Sequence, residues 1–202
     1  MPNFISEDQI EQALLQKLQH LHGFDVLDCH TDNAEDLNDG SNRASKRDVI
    51  LMDRVREAAL RLNPDIPREA IESALEKLCE RRQAMTLIAA NQEIYDLLRD
   101  GIAVTFDNAQ GQSQQERVRL LDFNVPGNNR FLVVTQLWIK GECGFRRPDV
   151  LLYVNGIPLV FIELKNSNVK LRNAYDDNLT NYKAEIPQLF LTNAFCVLSN
   201  AV

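Results

Sequence analysis

Apolar positions recur with helical spacing along the first half of the chain and with the shorter period of strands along the second. Ser6-Glu7-Asp8-Gln9 has the form of a capping box, in which hydroxyl and amide side chains each accept from an otherwise free backbone N–H. Ile10, Ala13, Leu14, Leu18 and Leu21 follow as one stripe, and Gly23 is placed to end that helix. Phe24 to Leu27 predicts a short strand, and the polar stretch from Asp28 to Ser45 predicts a loop. Lys46 to Leu62 is again periodic and stops at Asn63-Pro64. Pro67 suits the first turn of the next helix, which carries Ile71, Ala74, Leu75 and Leu78, and another helical stretch runs to Asp100-Gly101. Residues from about 46 to 100 are therefore expected to form a helical subdomain.

Beyond Gly101 the pattern changes. Ile102 to Phe106, Arg117 to Phe123 and Phe131 to Ile139 are rich in β-branched and aromatic residues and are separated by turn-forming segments. Asp149 to Val154 and Ile157 to Leu164 flank Asn155-Gly156, the strongest hairpin signal in the chain. A polar helix from Arg172 to Glu185 and a strand from Ala194 to Ser199 follow. Repeats and low-complexity tracts are absent. The fold class expected is α/β (α+β), a mixed central β-sheet flanked by helices with a helical insertion.

With 202 residues and a hydrophobic fraction of 45%, the chain has enough material for one buried core, read as a single domain over residues 1–202. No apolar run approaches the roughly 18–20 residues of a membrane span. Met1 to Asp8 lacks the basic flank and apolar stretch of a signal peptide, which points to the cytoplasm. Cys29, Cys79, Cys143 and Cys196 are widely spaced without a C-x-x-C pair, so free and mostly buried thiols are expected. His20, His22, Cys29 and His30 could be drawn as a metal cluster, but helix-end and loop residues of this kind usually carry no ligand role. The net charge of −7 argues against an autonomous DNA-binding module, which normally presents a basic face. It does not exclude a site built from carboxylates.

Such a site is legible near the hairpin. Arg147-Pro148-Asp149 leads through Asn155-Gly156 to Val160-Phe161-Ile162-Glu163-Leu164-Lys165. These strands are apolar on both faces, as central strands are, and a charge placed there is costly unless paired or bound to metal. Glu163 and Lys165 are two apart and project from one face. Carboxylate oxygens suit Mg²⁺, and phosphodiester hydrolysis needs a hard cation to neutralise the phosphate and acidify the attacking water. An ammonium beside them can stabilise the charge that develops. An isolated E-x-K would more readily be a pair on an exposed edge; the upstream Pro-Asp in an apolar hairpin shifts that balance.

Asp149 with Glu163-x-Lys165 resembles the PD-(D/E)xK nuclease motif. Leu121-Asp122-Phe123 with Asn128-Asn129, Arg147-Pro148-Asp149, Val154-Asn155-Gly156-Ile157-Pro158-Leu159-Val160 and Tyr182-Lys183 with Ile186-Pro187-x-Leu189-Phe190 are similar, in order, to the amino-terminal region of the R (HsdR) subunit of type I restriction–modification enzymes. Leu62-Asn63-Pro64 agrees as well. The resemblance covers nearly the whole chain. It implies a restriction-endonuclease-like fold and type I site-specific deoxyribonuclease activity, with Asp149, Glu163 and Lys165 catalytic. The metal, Mg²⁺ or alternatively Mn²⁺, would be held by Asp149, Glu163 and the backbone carbonyl of Leu164. It also implies an acidic residue near the metal from the first helix, Glu11, which reads equally as a solvated carboxylate. The family's Q-x-x-x-Y motif appears here as Asn178 and Tyr182, the amide one methylene shorter, and Tyr182 can equally be a packing residue.

No G-x-x-x-x-G-K-[ST] phosphate loop is present, so any ATP use belongs to a motor region outside these residues, and the chain reads as a fragment of a longer polypeptide. The implied partners are double-stranded DNA and the methylase and specificity subunits that recognise the target. Two other readings stay open, a catalytically silent docking module of the same complex and a DNA-repair nuclease of the same fold. One geometric expectation bears on whether the fold can cleave at all. A strict two-residue turn at Asn155-Gly156 would pair Asp149 with Ile162 and send Glu163 to the opposite face. A shared metal therefore requires one extra residue or a bend, expected near Pro158 or Pro148.

Overall fold

A computed structural model describes residues 5–82, 84–168 and 171–200, apart from the side chains of residues 173, 174, 176 and 177. Part of the amino-terminal reading, Met1 to Phe4, lies outside the described residues. The elements run α1 (Glu7–His22), β1 (Asp25–Asp28), α2 (Met52–Leu62), α3 (Arg68–Leu78), α4 (Leu87–Asp100), β2 (Ile102–Asp107), β3 (Ser113–Val118) and β4 (Phe131–Thr135). They continue as β5 (Ile139–Lys140), β6 (Phe145–Arg146), β7 (Val150–Val154), β8 (Ile157–Leu164), α5 (Leu171–Asn173), a π-helical segment (Ala174–Leu179), α6 (Thr180–Glu185) and β9 (Phe195–Ser199).

The central sheet has five strands in the order β1-β4-β7-β8-β9. β1 runs parallel to β4 and β8 to β9, whereas the central β7 is antiparallel to both of its neighbours, β4 and β8. The sheet is mixed, as expected, and both of its faces are covered. On one face Val133, Val150, Val160, Ile162 and Leu164 pack against Ile10, Leu14, Leu15 and Leu18 of α1. On the other, Leu151, Tyr153 and Phe161 meet Leu179, Ile186, Leu189 and Phe190, together with the loop residues Cys29, Val49 and Leu51. A third cluster, built from α2, α3, α4 and β2, forms the helical part.

The capping box is present, with Ser6 accepting from Gln9 N–H and Gln9 accepting from Ser6 N–H. The stripe on α1 is narrower than its periodicity suggested. Leu21 is 72% exposed and Ala13 is also exposed, and Leu15 joins the packing in their place. Helix α2 begins at Met52, not Lys46. The six intervening residues are claimed by tertiary partners: Lys46 reaches Asp39, Val49 C=O accepts from Tyr153 O–H, and Leu51 N–H donates to Gly156 C=O. Strand β3 ends at Val118, because Asn63 Oδ1 accepts from Arg119 N–H and draws the chain away from the hairpin. Cys79 and Cys143 are exposed, contrary to expectation, since one closes α3 and the other lies between β5 and β6. Among the described residues no helix is long and apolar enough to cross a membrane.

The β7–β8 turn is a two-residue one with positive φ at both Asn155 (51°) and Gly156 (87°), the combination that matches strand twist. A Cβ on Gly156 would meet Leu51 O at 2.6 Å and Arg54 Cβ at 2.8 Å, both on the loop and helix packed over the turn. Gly156→Ala is therefore expected to lower stability by about 2–4 kcal/mol, combining left-handed backbone strain with overpacking. Urea unfolding checks this, and an unchanged midpoint would show that the α2 packing yields freely.

Candidate active site

The hairpin carries the predicted irregularity. Val154 pairs with Ile157 and Tyr153 with Pro158, but Leu152 pairs with Val160, so Leu159 is an extra residue on β8. Pro158 has no N–H to give to a ladder. Leu159 turns its carbonyl away from β7 to accept from Ala194 N–H at 2.7 Å. Downstream of this bulge the register is shifted by one, with Leu151 opposite Phe161 and Val150 opposite Ile162. One step further places Asp149 opposite Glu163. Val150 and Ile162 face α1, so alternation sends Asp149 and Glu163 together to the other face, the side of Leu151 and Phe161.

Glu163 is 2% exposed at the carboxyl end of β8. Its Oε1 accepts from Lys165 Nζ at 2.8 Å and from the amide of Asn178, while its Oε2 is buried without a hydrogen-bond partner. Asp149 Oδ2 accepts from Leu164 N–H at 2.7 Å. Burial and then the charge of Glu163 push the Asp149 carboxyl up to about 7. Burial alone would lower Lys165, but its hydrogen bond to Glu163 and the surrounding carboxylates outweigh this and raise it, so it stays charged. The sheet thus holds two carboxylates and one ammonium in a water-poor corner.

Neighbouring elements close the corner. Asn178 lies in the π-helical segment, a form often met at functional positions, and its shorter side chain still reaches Glu163. Tyr182 on α6 packs: its ring lies edge-on to Phe161 at 5.2 Å, and its hydroxyl donates to Arg147 C=O at 3.1 Å. Burial and the nearby Glu163 and Asp149 charges raise its phenol, which stays protonated. Glu11 approaches from α1 and is half-buried. Desolvation raises its carboxyl despite a 3.2 Å hydrogen bond from Gln136 Nε2. The structure therefore brings Asp149, Glu163, Leu164, Lys165, Asn178 and Tyr182 close together, with Glu11 connected to them through Gln136.

Gln136 was not singled out by sequence. It follows β4 with φ of 56°, rare for a side chain of its kind, and its N–H approaches Asp149 C=O while its amide holds Glu11. The only sequence signal was a polar residue interrupting the apolar run from Phe131 to Ile139, which the strand reading absorbed. Among the described residues no three His, Cys, Asp or Glu side chains gather as a ligand cluster, and His20, His22 and His30 are all exposed.

The donor set nonetheless suits a hard cation. Two carboxylates share a face, one buried carboxylate oxygen has no partner, and a free energy penalty attends such an orphan unless something positive meets it. Asp149, Glu163 and the Leu164 carbonyl would hold the ion.

Comparison with known proteins places the chain in a family. Residues 4–202 match the family described as the type I restriction enzyme R protein N terminus. The chain is 37% identical, over 98% of its length, to the type I restriction enzyme HindI endonuclease subunit of Haemophilus influenzae. It is 29% identical, also over 98% of its length, to a putative type I restriction enzyme MjaIXP endonuclease subunit of Methanocaldococcus jannaschii. It spans 19% of the length of each relative. On this evidence the chain belongs to the type I restriction enzyme R protein N-terminal family.

Proposed function

We propose that the chain is the nuclease part of a type I restriction–modification enzyme and cuts double-stranded DNA by Mg²⁺-dependent hydrolysis, with Mn²⁺ as an alternative ion. The observation that carries this is the bulge at Leu159, which turns Asp149 and Glu163 to one face and leaves Glu163 Oε2 without a partner. Bulges that re-aim a side chain beside a site are a recognised use of the extra residue. A bound hard cation would supply charge neutralisation at the phosphate and a water of lowered pKa.

The chain's own groups divide the remaining work. Lys165, charged and fixed on Glu163, stands where it can offset negative charge growing on the phosphate. Asn178 restrains the same Glu163 oxygen, so that the other stays directed at the ion position. Leu164 N–H orients Asp149. Tyr182 pins the backbone just before Asp149 through Arg147 C=O.

In the complete enzyme this part acts with methylase and specificity subunits in the cytoplasm, and ATP enters through a motor region outside these residues. Target recognition belongs to those partners, in keeping with a net charge of −7. The test is cleavage by the assembled enzyme carrying Lys165→Ala. Its rate is expected to fall about 10²–10³-fold or more, the scale of losing one preorganised electrostatic group, with ATP-driven translocation retained. Cleavage at the wild-type rate would remove Lys165 from the mechanism and favour a docking role for the whole fold.

A further inference from the structure

Arg147 stands two residues before Asp149, beside a neighbour that behaves differently. Arg146 is neutralised by a two-pronged ion pair with Glu185 on α6. Arg147 has no carboxylate ion pair among the described residues. Its guanidinium instead lies over the ring of Trp138, 4.8 Å from the centroid.

That platform is itself fixed. Trp138 Nε1 donates to Thr31 C=O at 3.3 Å, and its ring meets Phe145 edge-on at 6.5 Å. Lys140 covers Phe145 at 5.2 Å. Two adjacent rings, Trp138 and Phe145, are thus flanked by two cations, Arg147 and Lys140, along the β5–β6 ribbon. The outer cation, Lys140, has Glu35 at 3.5 Å; the inner one is uncommitted. Arg147 is only half-buried, and its charge is felt at Glu11, which locates it at the rim of the site.

We infer that Arg147, held flat on Trp138, is a phosphate-binding residue that grips the DNA backbone beside the scissile position. This rests on the nuclease reading and adds to it how an acidic chain receives a polyanion. A guanidinium presents a planar fork that matches two phosphate oxygens, and stacking removes most of the rotamer freedom that such a contact would otherwise cost.

The experiment is fluorescence anisotropy of a labelled 30-base-pair duplex with the 202-residue chain in Ca²⁺, a hard cation the same oxygen ligands accept, across a range of salt concentrations starting from low salt. Melting with and without Mg²⁺ is run on every variant. Arg147→Ala is expected to weaken duplex binding about 5–10-fold at low salt and to reduce the salt slope by about 1, the signature of one lost phosphate contact. Trp138→Leu is expected to weaken binding while keeping the slope, because the charge remains and its platform is gone. Arg147→Lys should keep the slope and recover only part of the affinity. The Mg²⁺-induced melting shift should persist in all three. The inference is overturned if Arg147→Ala binds as the wild type does, if the wild type binds no duplex even at low salt, or if the variant loses its Mg²⁺ shift and so acts through the metal position. A wild type without any Mg²⁺ shift would instead strike the nuclease reading itself.

Discussion

An Asp149→Ala, Glu163→Ala double variant is expected to lose DNA cleavage in the assembled enzyme by about 10⁴-fold or more, and to lose metal-induced stabilisation in the isolated chain. The first loss follows from removing both side-chain ligands of an ion that supplies several kcal/mol of charge stabilisation. The second follows from mass action, since an ion bound only by the folded form stabilises it by about 2.7 kcal/mol at 100 times its dissociation constant. The same carboxylates destabilise the ion-free protein. Asp149 titrates at about 7 when folded against 3.8 in its ordinary state, because burial and Glu163 oppose its charge. Between those values the folded form keeps a proton that the unfolded form has lost.

The sign of the pH dependence is therefore set. Without metal, stability contributed by protonated Asp149 is fully present below about pH 4 and is lost as pH rises towards 7. With saturating Mg²⁺ the trend reverses over this window, since the ion requires the deprotonated form and its stabilising shift grows with pH. Thermal melts from pH 4.5 to 8, with chelator and with Mg²⁺, measure both trends. Asp149→Asn should flatten the chelator series. Equal Mg²⁺ shifts in the wild type and in the double alanine variant would rule out the site.

The second large effect concerns stability rather than chemistry. Asp39 sits in the long loop before α2 with no solvent exposure of its side chain, and one of its oxygens bridges Arg43 at 2.7 Å and Lys46 at 2.8 Å. Arg43 also donates to Trp138 C=O and Asp48 C=O, tying this loop to the stretch that carries the Arg147 platform. Asp39→Ala leaves two buried cations facing each other. The expected cost is about 3–5 kcal/mol, the scale of breaking a buried ion pair from one side, against a total stability of about 5–15 kcal/mol for a domain. Asp39 is held well below the ordinary carboxylate range because its hydrogen bonds to Lys46, Ser41 and Arg43 outweigh burial. Its stabilising contribution is thus complete above about pH 4 and is lost on acidification below it. Urea denaturation of Asp39→Ala at neutral pH tests the point, and a midpoint within error of wild type would show that the cluster is relaxed by water.

How much of this was legible in the sequence depended on whether the signal was local. The capping box at Ser6, the Asn155-Gly156 turn, the span of β8 and the Glu163-Leu164-Lys165 motif follow from neighbours in sequence, and each stands where it was expected. The need for an extra residue or a bend in the hairpin was also readable, because a period of two in a regular two-residue hairpin puts Asp149 and Glu163 on opposite faces. Its position at Leu159 was narrowed only to the neighbourhood of a proline. What placed it there is Ala194, which claims the Leu159 carbonyl from more than thirty residues away.

Other features were fixed only by tertiary contacts. The helical period from Lys46 suggested an earlier start to α2, but Asp39 binds Lys46, and the Tyr153 hydroxyl and Gly156 carbonyl bind Val49 and Leu51, so those residues are held in a turn and irregular backbone ahead of the helix. Gln136 looked like part of a strand until its left-handed backbone turned its amide towards Glu11. Helical period alone could not say which of Glu11's two readings applied, because exposure is decided by what packs beside a helix. Asn178 illustrates the same limit: one methylene of side chain is supplied by the course of the backbone in its π-helical turn. The sequence by itself determined which groups with chemistry exist and which neighbours share a face. The tertiary structure decided which of them meet, because contacts between distant segments outweigh the few tenths of a kcal/mol by which local preference chooses a conformation.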